Sequence, residues 1–277
     1  MLVKTVFELQ NILKELKKSS KSVGFVPTMG ALHDGHLGLI ERASLENDIV
    51  VVSIFINPTQ FNNQEDLVNY PRTLDKDLTL LEEKITNYLV FSPDASEIYP
   101  ANDDFQPIDL GHLNNILEGK FRPGHFQGVV HVVHNLFKIV QPQKAYFGQK
   151  DFQQLAIIRF MNKKFGFSIE IVACETLREP SGLAMSSRNI RLSEEEKVDA
   201  LIIWETMNFI RDNKMNFGPS ELIEQAIQFF DKGTLKLEYL EIVQADNLLE
   251  ATDWQESTVC CIAAYCGNVR LIDNLLF

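Results

Sequence analysis

This 277-residue sequence predicts an α/β protein, a doubly wound parallel sheet followed by a smaller α+β domain. Three observations carry that expectation. Residues 23–28 form a short apolar run that leads through a turn rich in Gly and Pro into a helical pattern. Residues 48–57 hold a near-continuous apolar run (Ile49, Val50, Val51, Val52, Ile54, Phe55, Ile56), as in strands buried on both faces of a parallel sheet. Strand-like and helix-like patterns then alternate up to residue 173, and the composition shifts at a hinge, Glu179-Pro180-Ser181-Gly182.

The elements follow in order. Residues 2–19 carry Val6, Leu9, Ile12, Leu13 and Leu16 at helical spacing with lysines opposite, the pattern of an amphipathic helix. The first buried strand comes next, then a helix over about 35–45, and with the run at 48–57 they make a strand–helix–strand unit. Residues 75–84 read as a helix and 88–91 as a short strand, before a polar, Pro-punctuated segment at 93–107. A helix over 129–139, a strand end at 145–147, a helix over 152–165 and a strand over 169–173 complete a first domain, residues 1–176. The second, residues 177–277, has helical stretches at 194–213 and 219–232 and strand-like runs at 237–243, 258–265 and 269–271. In a doubly wound domain ligands lie at the carboxyl ends of the strands, so the turns after strands are the segments to search.

Composition narrows the function. The net charge of -12, with no basic stripe, argues against a nucleic-acid surface. An anionic substrate would then depend on particular Lys and Arg side chains. The four cysteines (Cys174, Cys260, Cys261, Cys266) are sparse and lack zinc-ribbon spacing. With no signal peptide and no apolar run near twenty residues, the expectation is a cytoplasmic protein with free thiols and no membrane partner.

The first candidate site is Met29-Gly30-Ala31-Leu32-His33-Asp34-Gly35-His36. Gly30 and Gly35 let backbone approach a ligand closely, and a helix start there offers N–H groups and partial positive charge to a phosphate. A cationic imidazole is disfavoured at a helix N-terminus, so His36 is expected in its neutral, N–H-donating form. A metal pair lacks a nearby third ligand, and the spacing is neither a P-loop nor a dinucleotide fingerprint. A plain connecting turn fits the same residues.

Asn57-Pro58-Thr59-Gln60-Phe61 follows the second strand; its amides can hold a substrate's hydroxyl and carboxylate oxygens, or it is simply a turn. Residues 118–129, with Lys120, Arg122 and three glycines ahead of a helix, read either as an anion-binding lip or flap or as a solvated loop. His131 and His134 read as core or surface histidines rather than ligands. At the next strand-to-helix turn, Gly148-Gln149-Lys150-Asp151, Lys150 can neutralise phosphate charge and Asp151 can hold a Mg²⁺ bridging phosphate oxygens. Met185-Ser186-Ser187-Arg188-Asn189 offers two hydroxyls and a guanidinium to phosphate, or a serine that caps a short helix.

His33-Asp34-Gly35-His36 after a first strand resembles the HxGH signature of the nucleotidyltransferase superfamily, whose Rossmann-like domain binds ATP. The longer string 27–36 resembles the pantoate–β-alanine ligase family. So do Asn57 to Phe61, Tyr70-Pro71-Arg72, the 118–129 stretch, Gly148 to Gln154 and Met185 to Asn189, in the same order. A looser match continues at 237–243, at Ala263-Ala264-Tyr265 and at Arg270-Leu271-Ile272-Asp273.

The resemblance implies ATP bound by Met29, Gly30, Ala31, Leu32, His33, Asp34, Gly35, His36, Gly148, Gln149, Lys150, Asp151, Met185, Ser186, Ser187 and Arg188, with Leu177 as a backbone contact to adenine. It implies catalysis by His36, His33, Lys150, Ser186, Ser187 and Arg188, pantoate and β-alanine held by Gln60 and Gln154, and Mg²⁺ at Asp151. Gln149 stands where many members have Glu, and there the backbone is expected to matter most. The Tyr70 segment is expected to be structural.

The implied reaction condenses pantoate with β-alanine to pantothenate, AMP and pyrophosphate through pantoyl adenylate. The resemblance also implies a homodimer, and a smaller domain that closes as a lid. The alternatives are a nucleotidylyltransferase of the same superfamily and a non-catalytic nucleotide-binding protein. Gln60 and Gln154 count against the first, and intact His33, His36, Lys150 and Arg188 against the second, though fold alone never establishes activity.

Overall fold

The computed structural model describes residues 1–62, 64–254 and 257–277. In chain order it forms β1 (Leu2–Val3), α1 (Val6–Lys18), β2 (Val23–Thr28), α2 (Asp34–Glu46) and β3 (Ile49–Ile54). A 3₁₀ turn (Pro58–Gln60), α3 (Gln64–Val68), α4 (Leu74–Lys84), β4 (Tyr88–Phe91) and α5 (Ala95–Ile98) follow. Then come α6 (Leu117–Phe121), α7 (His125–Val140), β5 (Lys144–Gly148), α8 (Phe152–Lys164) and β6 (Glu170–Cys174). The six strands pair in parallel in the order β1-β4-β3-β2-β5-β6. The doubly wound sheet expected from the alternation is therefore present.

Contacts divide the chain into two compact units, Met1–Gln149 with Ile157–Glu175, and Lys150–Ala156 with Thr176–Phe277. In the first unit, β2 and β3 are buried along almost their whole length because helices cover both faces of the sheet, which is why their sequences run apolar without alternation. Val26, Leu37, Ile40, Val50, Val52, Leu81 and Val90 make one core layer. The strand order turns back between β2 and β5, the switch point at which such sheets open a crevice. Pro27 helps set it. The β2–β5 ladder is registered at Gly24 and Phe25 only, before Pro27, which has no N–H to give.

The second unit contains a 3₁₀ turn (Ser187–Arg191), α9 (Glu194–Asp199), α10 (Leu201–Asn213) and α11 (Pro219–Phe230). They accompany an antiparallel sheet of β7 (Lys236–Gln244), β8 (Thr258–Cys266) and β9 (Val269–Leu276), in that order. Its core joins Ile203, Met207, Ile210, Leu222, Phe230, Ile242 and Ile262.

Some elements differ from the sequence expectation. β1 is two residues long, too short to show a period. The 118–129 stretch is mostly helical where the sequence suggests a solvated loop or flap: α6 and the first turn of α7 are joined by a turn at 122–124, with Glu118, Gly119, His125 and Phe126 buried. Gly124 takes the left-handed conformation (φ 83°) that separates the two helices. The stretch 194–213 is two helices that meet at Ala200, the C-cap of α9 and the N-cap of α10. β9 runs on to Leu276, since its ladder with β8 continues past Asp273 and Asn274, whose polarity hides it from an apolar pattern.

Among the described residues no helix is long and apolar enough to cross a membrane. The four cysteines are buried thiols.

Candidate functional site

The loop after β2 is held from beneath by a carboxylate. Asp77, in the first turn of α4 and 3 % exposed, accepts hydrogen bonds from the Ala31 N–H (3.0 Å) and the Leu32 N–H (2.9 Å). The Thr73 hydroxyl donates to the same side chain at 3.2 Å. The Gly30 N–H donates to Thr28 Oγ1 (3.1 Å), and that hydroxyl donates to the Ser53 carbonyl (2.7 Å). Gly30 and Ala31 both take left-handed backbone, at φ 78° and 50°. For Ala31 that conformation costs about 1 kcal/mol, and the Asp77 clamp offsets it. A Cβ on Gly30 would also lie 3.1 Å from the Asp77 carboxylate.

This turn delivers the chain to α2 with His33 as its N-cap, so the helix opens at Asp34 rather than at Gly35 or His36. His33 Nδ1 accepts from the Gly35 N–H at 3.1 Å, and the His33 carbonyl accepts from the His36 N–H at 2.8 Å. With Nδ1 accepting, the neutral His33 ring carries its proton on Nε2. Both of these backbone donors are thereby engaged, and an anion there relies on side-chain donors more than on these amides. The His33 and His36 rings lie 4.1 Å apart at their centroids, tilted by 43°.

Gln60 reaches the same loop. Its Nε2 donates to Met29 Sδ at 3.0 Å, and its Oε1 accepts from Asn57 Nδ2 at 3.1 Å. Its carbonyl is gripped by the helices built from the 118–129 stretch: His125 Nδ1 at 2.7 Å and Arg122 Nη2 at 3.4 Å. α7 comes so close that a Cβ on Gly128 would overlap the Thr59 carbonyl and lie 2.9 Å from the Gln60 nitrogen.

Asn57, 1 % exposed, is the hub of this arrangement. Its Nδ2 also donates to the Gly128 carbonyl (3.1 Å), and its Oδ1 accepts from the Thr59 N–H, the Thr59 hydroxyl and the Tyr99 hydroxyl (2.7 Å). Burial pushes the Tyr99 phenol up to about 12, which keeps it a neutral donor. Asn57 therefore fixes the shape of the turn, and Gln60 is the member of the motif placed against the Met29 loop. His131 and His134 pack among aromatic rings of the first unit: His131 stacks on Phe105 and bonds to Asp103, and His134 is buried. Tyr70 is buried edge-on to Phe61, a structural role.

Gly148 ends β5 at the switch point, and the Gln149 N–H donates to the Cys174 carbonyl at 2.7 Å. Gln149 is thus held through its backbone.

The second unit holds the remaining candidates. Lys150 and the exposed Asp151 precede α8, whose first turn carries Gln154. Leu177 and Met185 face each other across a hairpin closed by the Met185 N–H on the Leu177 carbonyl (3.0 Å), with Leu177 44 % exposed. Ser186 caps the following 3₁₀ turn by accepting from the Arg188 N–H at 3.2 Å. Asn189 Nδ2 ties that turn to Glu179 (3.0 Å) and the Ala184 carbonyl (3.1 Å). The capping role foreseen for a serine belongs to Ser186, and Ser187 is buried in the turn.

A family model described as pantoate-beta-alanine ligase matches residues 1–276. The chain belongs to the pantoate–β-alanine ligase family. A pantothenate synthetase of Phocaeicola vulgatus is 49% identical over 284 residues, covering 100% of this chain and 99% of that one. One of Azobacteroides pseudotrichonymphae is 46% identical over 279 residues, with 100% and 99% covered. Among solved structures, the pantothenate synthetase of Thermus thermophilus superposes with a TM-score of 0.92 at 42% identity, covering 99% of this chain and 98% of that one. The pantoate-beta-alanine ligase of Francisella tularensis, complexed with Beta-gamma ATP and beta-alanine, gives 0.82 at 37%, covering 100% and 97%.

Two residues that the sequence did not single out, Asp77 and Tyr99, act behind the family's motifs. Asp77 had a legible signal. It sits in the apolar stripe of α4, three residues after Leu74 and four before Leu81, where an exposed acid would not be expected.

Proposed function

We propose that this chain joins pantoate to β-alanine with ATP, releasing AMP and pyrophosphate. A full-length family relationship combined with the paired imidazoles at the start of α2 carries the reading. A carboxylate is a poor acyl donor, so a pantoate carboxylate oxygen first attacks the α-phosphorus of ATP. The bond to the bridging oxygen breaks, and its electron pair leaves with pyrophosphate. Catalysis of this step is alignment and neutralisation of charge developing on phosphate. His33, His36, Lys150, Ser186, Ser187 and Arg188 supply the donors and charges. Met29, Gly30, Ala31, Leu32, Asp34, Gly35, Gly148, Gln149 and Met185 shape the nucleotide's surroundings, and Leu177 meets adenine. Gln60 and Gln154 orient pantoate, and Gln60 also meets β-alanine. The amine then attacks the acyl carbon, AMP leaves with the anhydride electron pair, and the amine gives up a proton.

Mg²⁺ is consistent with the residues present. Among the described residues no cluster of three His, Cys, Asp or Glu side chains forms a metal cage. The exposed Asp151 carboxylate, beside Lys150, would hold an ion that the nucleotide's phosphates also bind. Such an ion would supply charge neutralisation. Closure of the second unit to exclude water from the adenylate, a homodimeric state and a cytoplasmic location belong to the same proposal.

Incubation with pantoate, β-alanine, ATP and Mg²⁺ is expected to yield AMP and pantothenate in equal amounts, as measured by chromatography. Release of pyrophosphate with an adenylated product and no amide would point to a nucleotidyl-transfer enzyme instead.

A further inference from the structure

The last strand carries two adjacent polar residues that the mechanism above does not use. Asp273 and Asn274 sit on β9, the edge of the antiparallel sheet, each 5 % exposed. Asp273 falls in register with Val269 and Leu271, on the buried face of the strand, where a charge must be paired.

Its partner is Arg178, with Nη1 at 2.5 Å and Nη2 at 3.0 Å from the two carboxylate oxygens. The guanidinium also donates to the Gly182 carbonyl (3.2 Å) and the Asn274 carbonyl (3.3 Å), and it stacks 3.8 Å above the Trp204 ring. Arg178 is the residue after Leu177, and it bridges to Ala184 across the hairpin. Gly182, at φ 101°, closes that hairpin where a Cβ would strike Trp204.

Asn274 holds a different segment. Its Nδ2 donates to the Lys150 carbonyl at 2.7 Å. Its own N–H donates to Asp273 Oδ1 at 2.8 Å, so the two side chains are set by one short stretch of backbone. Burial pushes the Asp273 carboxyl up, while Arg178 and the charge of Lys150 pull against it.

We propose that Asn274 is a positioning residue for the nucleotide. By holding the Lys150 backbone from the strand that also anchors the 177–185 hairpin through Asp273, it fixes Lys150 relative to Leu177 and Met185. The proposal rests on the reading that Lys150 and the hairpin engage ATP. Loss of the Asn274 amide leaves Lys150 attached but unregistered, so the defect appears in ATP parameters rather than in those of pantoate.

The test compares wild type with Asn274→Ala and Asn274→Ser, the serine being polar but too short to reach the Lys150 oxygen. Each is assayed well below its own melting temperature, so that all three are folded. Both variants are expected to lose at least about tenfold in kcat/KM for ATP, with KM for pantoate within about twofold of wild type. An unchanged kcat/KM for ATP, or an equal rise in KM for both substrates, overturns the proposal. Absence of product from the wild-type protein would instead defeat the functional reading itself, so the two failures are told apart.

Discussion

Replacing His36 with alanine lowers turnover about 10²–10³-fold while weakening ATP binding by less than about tenfold. The asymmetry follows from where the side chain sits. His36 lies in the first turn of α2, with its ring 4.1 Å from that of His33. Two backbone donors of that turn are already used inside the protein, as Gly35 gives its N–H to His33 Nδ1 and His36 gives its own to the His33 carbonyl. On the proposed reading, charge developing on the α-phosphate is met mainly by side-chain donors such as His36, and removing one of them costs most in the transition state. ATP in its ground state keeps its other contacts. Steady-state kinetics beside calorimetric titration with ATP separate the two effects. His36→Gln, which retains an N–H donor without a transferable proton, recovers part of the loss if the imidazole acts as a hydrogen-bond donor. Equal collapse of binding and turnover would argue for a purely structural histidine.

Asp77→Ala gives the second large effect, at a distance from the chemistry. The substitution takes the charged acceptor away from the Ala31 and Leu32 N–H groups and releases the left-handed turn that it holds. Stability falls by roughly 1–3 kcal/mol, measured by urea denaturation. The drop in kcat is larger than that loss accounts for, about 10²-fold, because displacement of a reacting group by about 1 Å is enough to produce it. Assays at a temperature where circular dichroism shows the variant fully folded distinguish displacement from unfolding. A folded Asp77→Ala enzyme with wild-type kcat would show that the loop keeps its shape without the clamp.

The candidate ligand-binding groups stand in motifs that the sequence displays, whereas of the groups that hold them in place only Asp77 leaves a trace, its position in the apolar stripe of α4. His33, His36, Gln60, Lys150 and Arg188 lie in short strings at turns beside strands or helices, where neighbours in sequence are neighbours in space. Asp77, Tyr99, Asp273 and Asn274 instead meet their partners through tertiary packing. Asp77 reaches Ala31 across 46 positions and Asn274 reaches Lys150 across 124. An acid in the first turn of α4 also looks like ordinary helix-dipole complementation, which conceals the buried role of Asp77. The 118–129 stretch misleads for a related reason. Its glycines and charges suggest a loop, yet Gly128 is there for close approach to Thr59, and Arg122 and His125 turn inward to the Gln60 carbonyl. The sheet was easier, because valine-rich strands buried on both faces need no partner to be recognised.

The most direct test of the account is pantoate-dependent exchange of labelled pyrophosphate into ATP, with Mg²⁺ present and β-alanine left out. Reversible formation of pantoyl adenylate predicts label in ATP only when pantoate is added. Exchange that ignores pantoate, or no exchange from a protein that still forms pantothenate from all three substrates, would contradict an adenylate formed before the amine arrives.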